Sequence, residues 1–471
     1  MRGGWLALAV LASSGCAHPE PRPLDPAASE AEFRARSLSE PGLRTFVEAG
    51  LPARPFPPKE WDLAALTLAA FYFHPELEVA RSRLKVAEAG AVTAGARPNP
   101  TLSFGPEYTL NAAAGVSPWI LGLTLDVPLE IAGKRGYRIE GAEKRVEAAR
   151  MELAETGWAI RSRVRAALAA HVFAQREVEL VGAERGLRGE AVALLERLRA
   201  AGEVSRPDVE EGRLEFNTAA MAMRAAEGRS LESLASLAAS IGIPMKAIEG
   251  ITLSWPNLET PPGLEAIPPA DLQKTALLGR ADLRRLLAEY AAAEAGLQLE
   301  VAKRYPDVHL GPGFLWDQGD NKIALGLSFE LPLFNRNEGP IAEAEARRQE
   351  TAARFLALQA EVIGATDLVQ ARFRSAHLEL TEAEGLLAAI DRRERVAQQA
   401  VKLGQEDRLA LVSVQVRKAV AGRSRLEALR KVHEAFGALE DAAQMPLSGS
   451  ATVPPAPREN PRGANRKENS P

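Results

Sequence analysis

Residues 119–131 read WILGLTLDVPLEI, and residues 323–333 read IALGLSFELPL. In the first stretch Trp119, Leu121, Leu123, Leu125, Val127, Leu129 and Ile131 are apolar at every second position, with Gly122, Thr124, Asp126, Pro128 and Glu130 between them. In the second, Ile323, Leu325, Leu327, Phe329, Leu331 and Leu333 alternate with Ala324, Gly326, Ser328 and Glu330. Strict period two gives a strand one apolar face and one polar face. Each stretch has an upstream companion: Leu102, Phe104, Tyr108 and Leu110 alternate with Ser103, Gly105, Glu107 and Thr109, and Val308, Leu310, Phe314 and Trp316 are their counterparts. Four strands of about nine to eleven residues have the length a tilted strand needs to cross hydrocarbon. The uncharged run 108–125 is long enough for a membrane helix, but Gly115, Pro118 and Gly122 interrupt it and its later part alternates.

These strands belong to a unit written twice. AEAGAVTAGARPNPTLSF (87–104) matches AEAGLQLEVAKRYPDVHL (293–310) at an offset of 206 residues, and AGEVSRPDV (201–209) matches LGQEDRLAL (403–411) at 202. Blocks that keep their order with so little drift mark a tandem duplication. After each strand pair Gly and Pro give way to Ala, Glu, Arg and Leu, a helix composition. Leu153, Ile160, Ala167, Ala174 and Val181 recur every seven residues, as do Phe355, Val362, Val369, Ala376 and Ala383. A seven-residue repeat is a coiled-coil seam. Each long helix meets a break, at Gly202 and Gly404, and then a return helix. Each half therefore reads helix, strand pair, long helix, return helix, over 59–258 and 259–447.

The chain opens MRGGWLALAVLASSGC, with Arg2 before a short apolar run and small residues ahead of Cys16. This is the pattern of a secretory signal, residues 1–15, too short to span a bilayer. A cleavage site ending on the sole cysteine resembles a bacterial lipoprotein signal in which Cys16 becomes lipidated, although Ser13 stands where Leu is usual. Ala17 after the cysteine resembles outer-membrane sorting. Residues 16–58 are Pro-rich and read as an extended tether, and residues 448–471 as a disordered tail.

The composition closes off other classes. With 58 Lys+Arg against 62 Asp+Glu the net charge is −4, without the basic balance that nucleic acid requires. One cysteine excludes disulfide frameworks and thiolate metal clusters. The six histidines show no ligand spacing, the six methionines form no cluster, and no phosphate loop or nucleophile elbow is present, so neither a bound metal, nor a cofactor, nor an enzyme is expected. Mean hydropathy of −0.14 excludes a helical membrane bundle but not a barrel of alternating strands. Four strands cannot close a membrane barrel, since the smallest use eight, so the missing strands have to come from further copies. Three copies supply twelve. The residues alone reach an oligomeric membrane channel with a long helical extension, whose lumen-facing positions (Ser103, Gly105, Gly122, Thr124, Gly326, Ser328) are small or polar.

The duplicated order, RPNPTLSF, LDVPLEIAGKRGYR, FELPLFNRNEGPIAEAEA and the AGEVSRPDV break resemble the TolC-type outer-membrane efflux proteins, with GKR and PLFNRNEGPIAEAEA most similar to the CzcC-like heavy-metal branch. The likeness runs over about residues 60–445. It implies a mainly α fold with transmembrane β: a homotrimer whose four strands per chain build a 12-stranded barrel in the outer membrane of a Gram-negative bacterium, above a coiled-coil barrel in the periplasm. It also implies a passive exit duct docked on a periplasmic adaptor and an inner-membrane pump, carrying heavy-metal cations, with drug or organic-solute efflux as the alternative. In this family the helix breaks form the periplasmic tip, and acidic residues beyond them ring the constriction. Asp208 and Glu211 occupy those positions on one helix face; in the second half they are replaced by Ala410 and Ser413, with Glu406 and Asp407 nearby as substitutes. A periplasmic adaptor lipoprotein and a soluble coiled-coil scaffold are competing readings; neither explains two complete halves that each carry a strand pair.

Overall fold

The computed structural model describes residues 21–51, 55–266 and 269–447; the signal segment, Cys16 and the tail from 448 lie outside the described residues. The helices are α1 (Pro26–Arg34), α2 (Pro41–Gly50), α3 (Leu63–Phe73), α4 (Pro75–Gly95), α5 (Lys134–Ala200), α6 (Arg206–Ile241), α7 (Pro269–Gly279), α8 (Ala281–Ala302), α9 (Glu338–Lys402) and α10 (Arg408–Ala443). The strands β1 (Thr101–Tyr108) and β2 (Trp119–Leu129) lie between α4 and α5, and β3 (Val308–Asp317) and β4 (Asp320–Phe329) between α8 and α9. The order α3-α4-β1-β2-α5-α6 is thus repeated as α7-α8-β3-β4-α9-α10.

The helices ahead of the strand pairs are split, where the sequence reads one helix in each half. Pro75 opens α4 and holds His74 extended, at φ −72° and ψ 123°, because its ring disfavours a helical predecessor. Arg280 makes the equivalent corner at φ −60° and ψ 132°. The long helices are uninterrupted: α5 has 67 residues and α9 has 65, each close to 100 Å at 1.5 Å per residue. Helix α5 packs along α6, α9 packs along α10, and α5 also meets α4, α8 and α10. Their seams carry the heptad residues, with Ile160, Val181 and Val362 buried.

The expectation of an extended tether over 16–58 is corrected by α1 and α2. Their prolines, Pro26 and Pro41, stand at the helix starts, where a missing N–H costs nothing. Leu38, Leu43 and Val47 are buried in one cluster with Leu66, Phe71, Ile160 and Ile241. Arg36 Nη1 donates to the carbonyls of Phe73 (3.1 Å) and Gly242 (2.7 Å), C-terminal acceptors of α3 and α6. The Tyr72 hydroxyl donates to Glu40 at 2.9 Å. This segment is a strap folded onto the helical body.

The two halves are joined by a buried charge cluster. Arg161 and Glu440 are each 2% exposed and meet at 3.0 Å. Arg165 donates to Glu440 at 3.0 Å, to the Gly437 carbonyl at 2.7 Å and to Asp441 at 2.7 Å, and Trp158 donates to Asp441 at 3.1 Å. Gly437 makes the approach possible, since a Cβ there would stand 2.5 Å from the Arg165 guanidinium carbon.

Candidate functional site

The four strands form one antiparallel sheet in the order β1-β2-β3-β4. Cross-strand register puts like residues side by side. Phe104 pairs with Leu123, Leu123 with Phe314 and Phe314 with Ile323; Leu310 pairs with Val127 and with Leu327. This face is bare: Phe104 is 65% exposed, Ile323 85% and Leu325 87%. The opposite face carries Ser103 against Thr124, Thr124 against Gly313, Gly105 against Gly122, Gly311 against Gly326 and His309 against Ser328. All six small or polar positions expected to line a lumen lie on it. At Gly326 a Cβ would sit 3.1 Å from the Gly311 carbonyl oxygen, so side chains are shaved from this surface. Its ionisable pairs are His309 with Asp126, 3.0 Å apart, and Lys322 with Asp317. Neither β1 nor β4 has a partner on its outer edge among the described residues.

Below the sheet the two halves solve the same joint differently. The last carbonyls of α4 are capped by cations, Arg135 donating to Gly95 at 2.8 Å and Arg138 to Ala94 and Ala96, while Arg138 also pairs with Glu130. These are the arginines of the GKRGYR motif. In the second half Asn337, in the left-handed region at φ 61°, donates to the Glu300 carbonyl at 2.7 Å.

At the other end, the two helix breaks are built alike. Gly202 (φ 80°) and Gly404 (φ 69°) take the left-handed conformation that ends a helix. Glu203 donates to the Leu198 carbonyl and Gln405 to the Ala400 carbonyl, both at 2.9 Å, closing Schellman turns. The acidic candidates divide in role. Asp208 is committed to a capping box, accepting from the Ser205 backbone at 2.8 Å and the Ser205 hydroxyl at 2.6 Å; these bonds hold its carboxyl below the usual range. Asp407 caps α10 by accepting from Ala410 at 2.7 Å. Glu406 is half-buried, 3.4 Å from Arg393. Glu211 is exposed, one turn beyond Asp208, with no ion pair among the described residues.

Two ion pairs missed by the sequence reading tie the hairpins of the two halves together near these turns. Arg408 of α10 reaches Glu190 of α5 at 2.8 Å, and Arg423 reaches the buried Glu184 at 3.1 Å. No spacing could have signalled them, because the partners are 218 and 239 residues apart. Between these hairpins lies a groove floored by Leu386, Ile390, Val416 and Val420 and rimmed by Arg188 and Arg417. Among the described residues no group of three or more His, Cys, Asp or Glu is placed to hold a metal ion, and no helix is long and apolar enough to cross a membrane.

A sheet bare on one face and open at both edges, standing on paired helices of about 100 Å, is a TolC-like architecture. Residues 72–243 match the family described as outer membrane efflux protein. It is 28% identical over 305 residues to the cobalt-zinc-cadmium resistance protein CzcC of Cupriavidus metallidurans (strain ATCC 43123 / DSM 2839 / NBRC 102507 / CH34), covering 62% of this chain and 68% of that one. Its fold is similar to the outer membrane protein VceC of Vibrio cholerae, with a TM-score of 0.65 and 20% identity over 82% of this chain and 97% of that one. The open state of the MtrE outer membrane channel of Neisseria gonorrhoeae is similar at a TM-score of 0.68 and 18% identity, over 82% of this chain and 89% of that one. The TolC-like resemblance and the mixed helical and strand architecture read from the sequence are borne out.

Proposed function

We propose that this protein is the passive exit duct of a tripartite efflux system, three copies closing a 12-stranded barrel over a common helical tunnel. The observation that carries it is the sheet, with an apolar face that has nothing to pack on and two edges lined with unpaired backbone groups. In hydrocarbon each unpaired group costs several kcal/mol, which closure into a ring removes. The two repeats, 59–258 and 259–447, give each copy two hairpins and two helical pairs, so that three copies make a continuous wall. The helical tip docks a periplasmic adaptor and, through it, an inner-membrane pump that supplies the energy.

Heavy-metal cations are the proposed cargo, supported by the likeness to a cobalt-zinc-cadmium resistance protein. Asp208, Glu211, Glu406 and Asp407 are the proposed acidic groups of the tip, with Gly202 and Gly404 as its turns. Glu211 is the strongest of the four, because the carboxylates of Asp208 and Asp407 already cap helices. Cys16 is the proposed lipid anchor.

Purified full-length protein, run unboiled in detergent, should migrate as a trimer that heating dissociates, and should open pores in planar bilayers. A monomer without pore activity would sink the duct reading. A host lacking this chain should become sensitive to cobalt, zinc and cadmium; sensitivity to organic toxicants alone would reassign the cargo and leave the duct intact.

A further inference from the structure

The two ends of the sheet differ in charge. At the end joined to the helices, residues 96–100, 130–135, 303–307 and 330–337 hold six cations against three carboxylates. At the far end, residues 105–122 and 315–322 hold one cation, Lys322, against Glu107, Asp317 and Asp320. Much of the helix-end charge is already used: Glu130 pairs with Arg138, Asp307 with Lys134, and Lys303 with Glu300. Arg97, Arg304 and Arg336 remain exposed, with no side-chain hydrogen bond or ion pair among the described residues, and Glu330 is the one carboxylate of these four stretches in the same position.

Apolar side chains stand at the same level. Leu331 (62% exposed) and Leu333 (70%) prolong the odd-numbered apolar series of β4 past the strand's end, Ile131 prolongs that of β2, and Phe334 is fully exposed. Apolar groups that continue a hydrocarbon-facing surface, bordered by guanidiniums, suit the boundary between acyl chains and headgroups. A guanidinium also matches a phosphate diester, which it binds through two parallel hydrogen bonds.

We propose that this junction is a collar for anionic phospholipid, with Arg97, Arg304 and Arg336 binding the headgroup phosphates of the leaflet on the helix side. The proposal rests on the membrane-barrel reading above. Each cation close to an anionic leaflet favours binding by about fivefold, so three give up to about 100-fold.

The test titrates the full-length protein in neutral detergent with phosphatidylglycerol and with phosphatidylcholine of identical acyl chains, read by native mass spectrometry. Phosphatidylglycerol should bind at least about tenfold more tightly, and R97Q/R304Q/R336Q should reduce that preference to less than about threefold. Millimolar inorganic phosphate should not compete. Equal binding of the two lipids, a preference retained by the triple variant, or displacement by inorganic phosphate overturns the collar. Planar-bilayer conductance is measured in parallel in neutral lipid, where the triple variant should match the native chain. Loss of pores in both proteins would strike the duct reading, while the lipid titration still decides the collar.

Discussion

At the scale of single residues, the informative groups are polar ones held where water does not reach. Burial pushes His74, His171 and His433 below their ordinary value of 6.5, and His433 Nε2 donates to the Leu258 carbonyl at 2.8 Å. A base whose folded value is depressed adds stability that is complete above the unfolded value and lost as pH falls. The melting temperature should therefore be level above about pH 7 and fall below about pH 6, and H433Q should flatten that slope. The Arg161–Glu440 pair is a sterner test, since removing Glu440 strands the Arg161 guanidinium in the core, whereas Glu440 would still have Arg165. E440A should cost about 3–5 kcal/mol of unfolding free energy, while R161M/E440L should be markedly less destabilised. A double variant as unstable as the single one would show that the pair itself, rather than the abandoned charge, is what matters. At Gly242 (φ 85°) a Cβ would stand 3.1 Å from the His74 Cα, so G242V should lower the melting temperature through strain at the strap joint.

At the scale of elements, most of the fold was legible because it is periodic. Alternation at 119–131 and 323–333 gave β2 and β4, and heptads gave the seams of α5 and α9, since burial on one face leaves a regular trace in the chain. What was hidden follows from the same physics. Arg161 and Glu440 lie 279 residues apart, and an arginine that is buried reads in sequence like one that is solvated. Pro26 and Pro41 looked like marks of an extended chain because proline starts helices as readily as it interrupts them. Asp208 was readable as a cap from Ser205 three residues before it, a signature that its place beyond a break obscured. The tip pairs carry the prediction at this scale. R408A/R423A removes both ties between the hairpins; the exposed Arg408–Glu190 pair is worth only about 0.2–1 kcal/mol, and the buried Glu184 keeps its pair with Arg188 at 3.0 Å. The variant should melt almost as the native chain does, yet show higher single-channel conductance. Unchanged conductance would mean that these pairs do not hold the tip.

At the scale of the whole molecule, the helical body has its own buried cores while the sheet is bare, so assembly should add to the stability of the chain. Melting should depend on protein concentration, and deletion of residues 21–50 should lower it by exposing Leu66, Phe71 and Ile241, which the strap helps to cover. The strap also has a length. Helix α4, with 21 residues, places the Arg36 clasp about 31 Å from the base of the sheet. The ten residues from Cys16 to Asp25 reach at most about 33–36 Å. A lipid on Cys16 would therefore be on a leash comparable with the depth it has to climb, since α1 adds at most about 13 Å to it, and the leash becomes a gauge of how far the helical body hangs below the membrane. Removing residues 17–22 would set the two holds against each other, so that either the acyl chains leave the bilayer or Arg36 leaves its carbonyls.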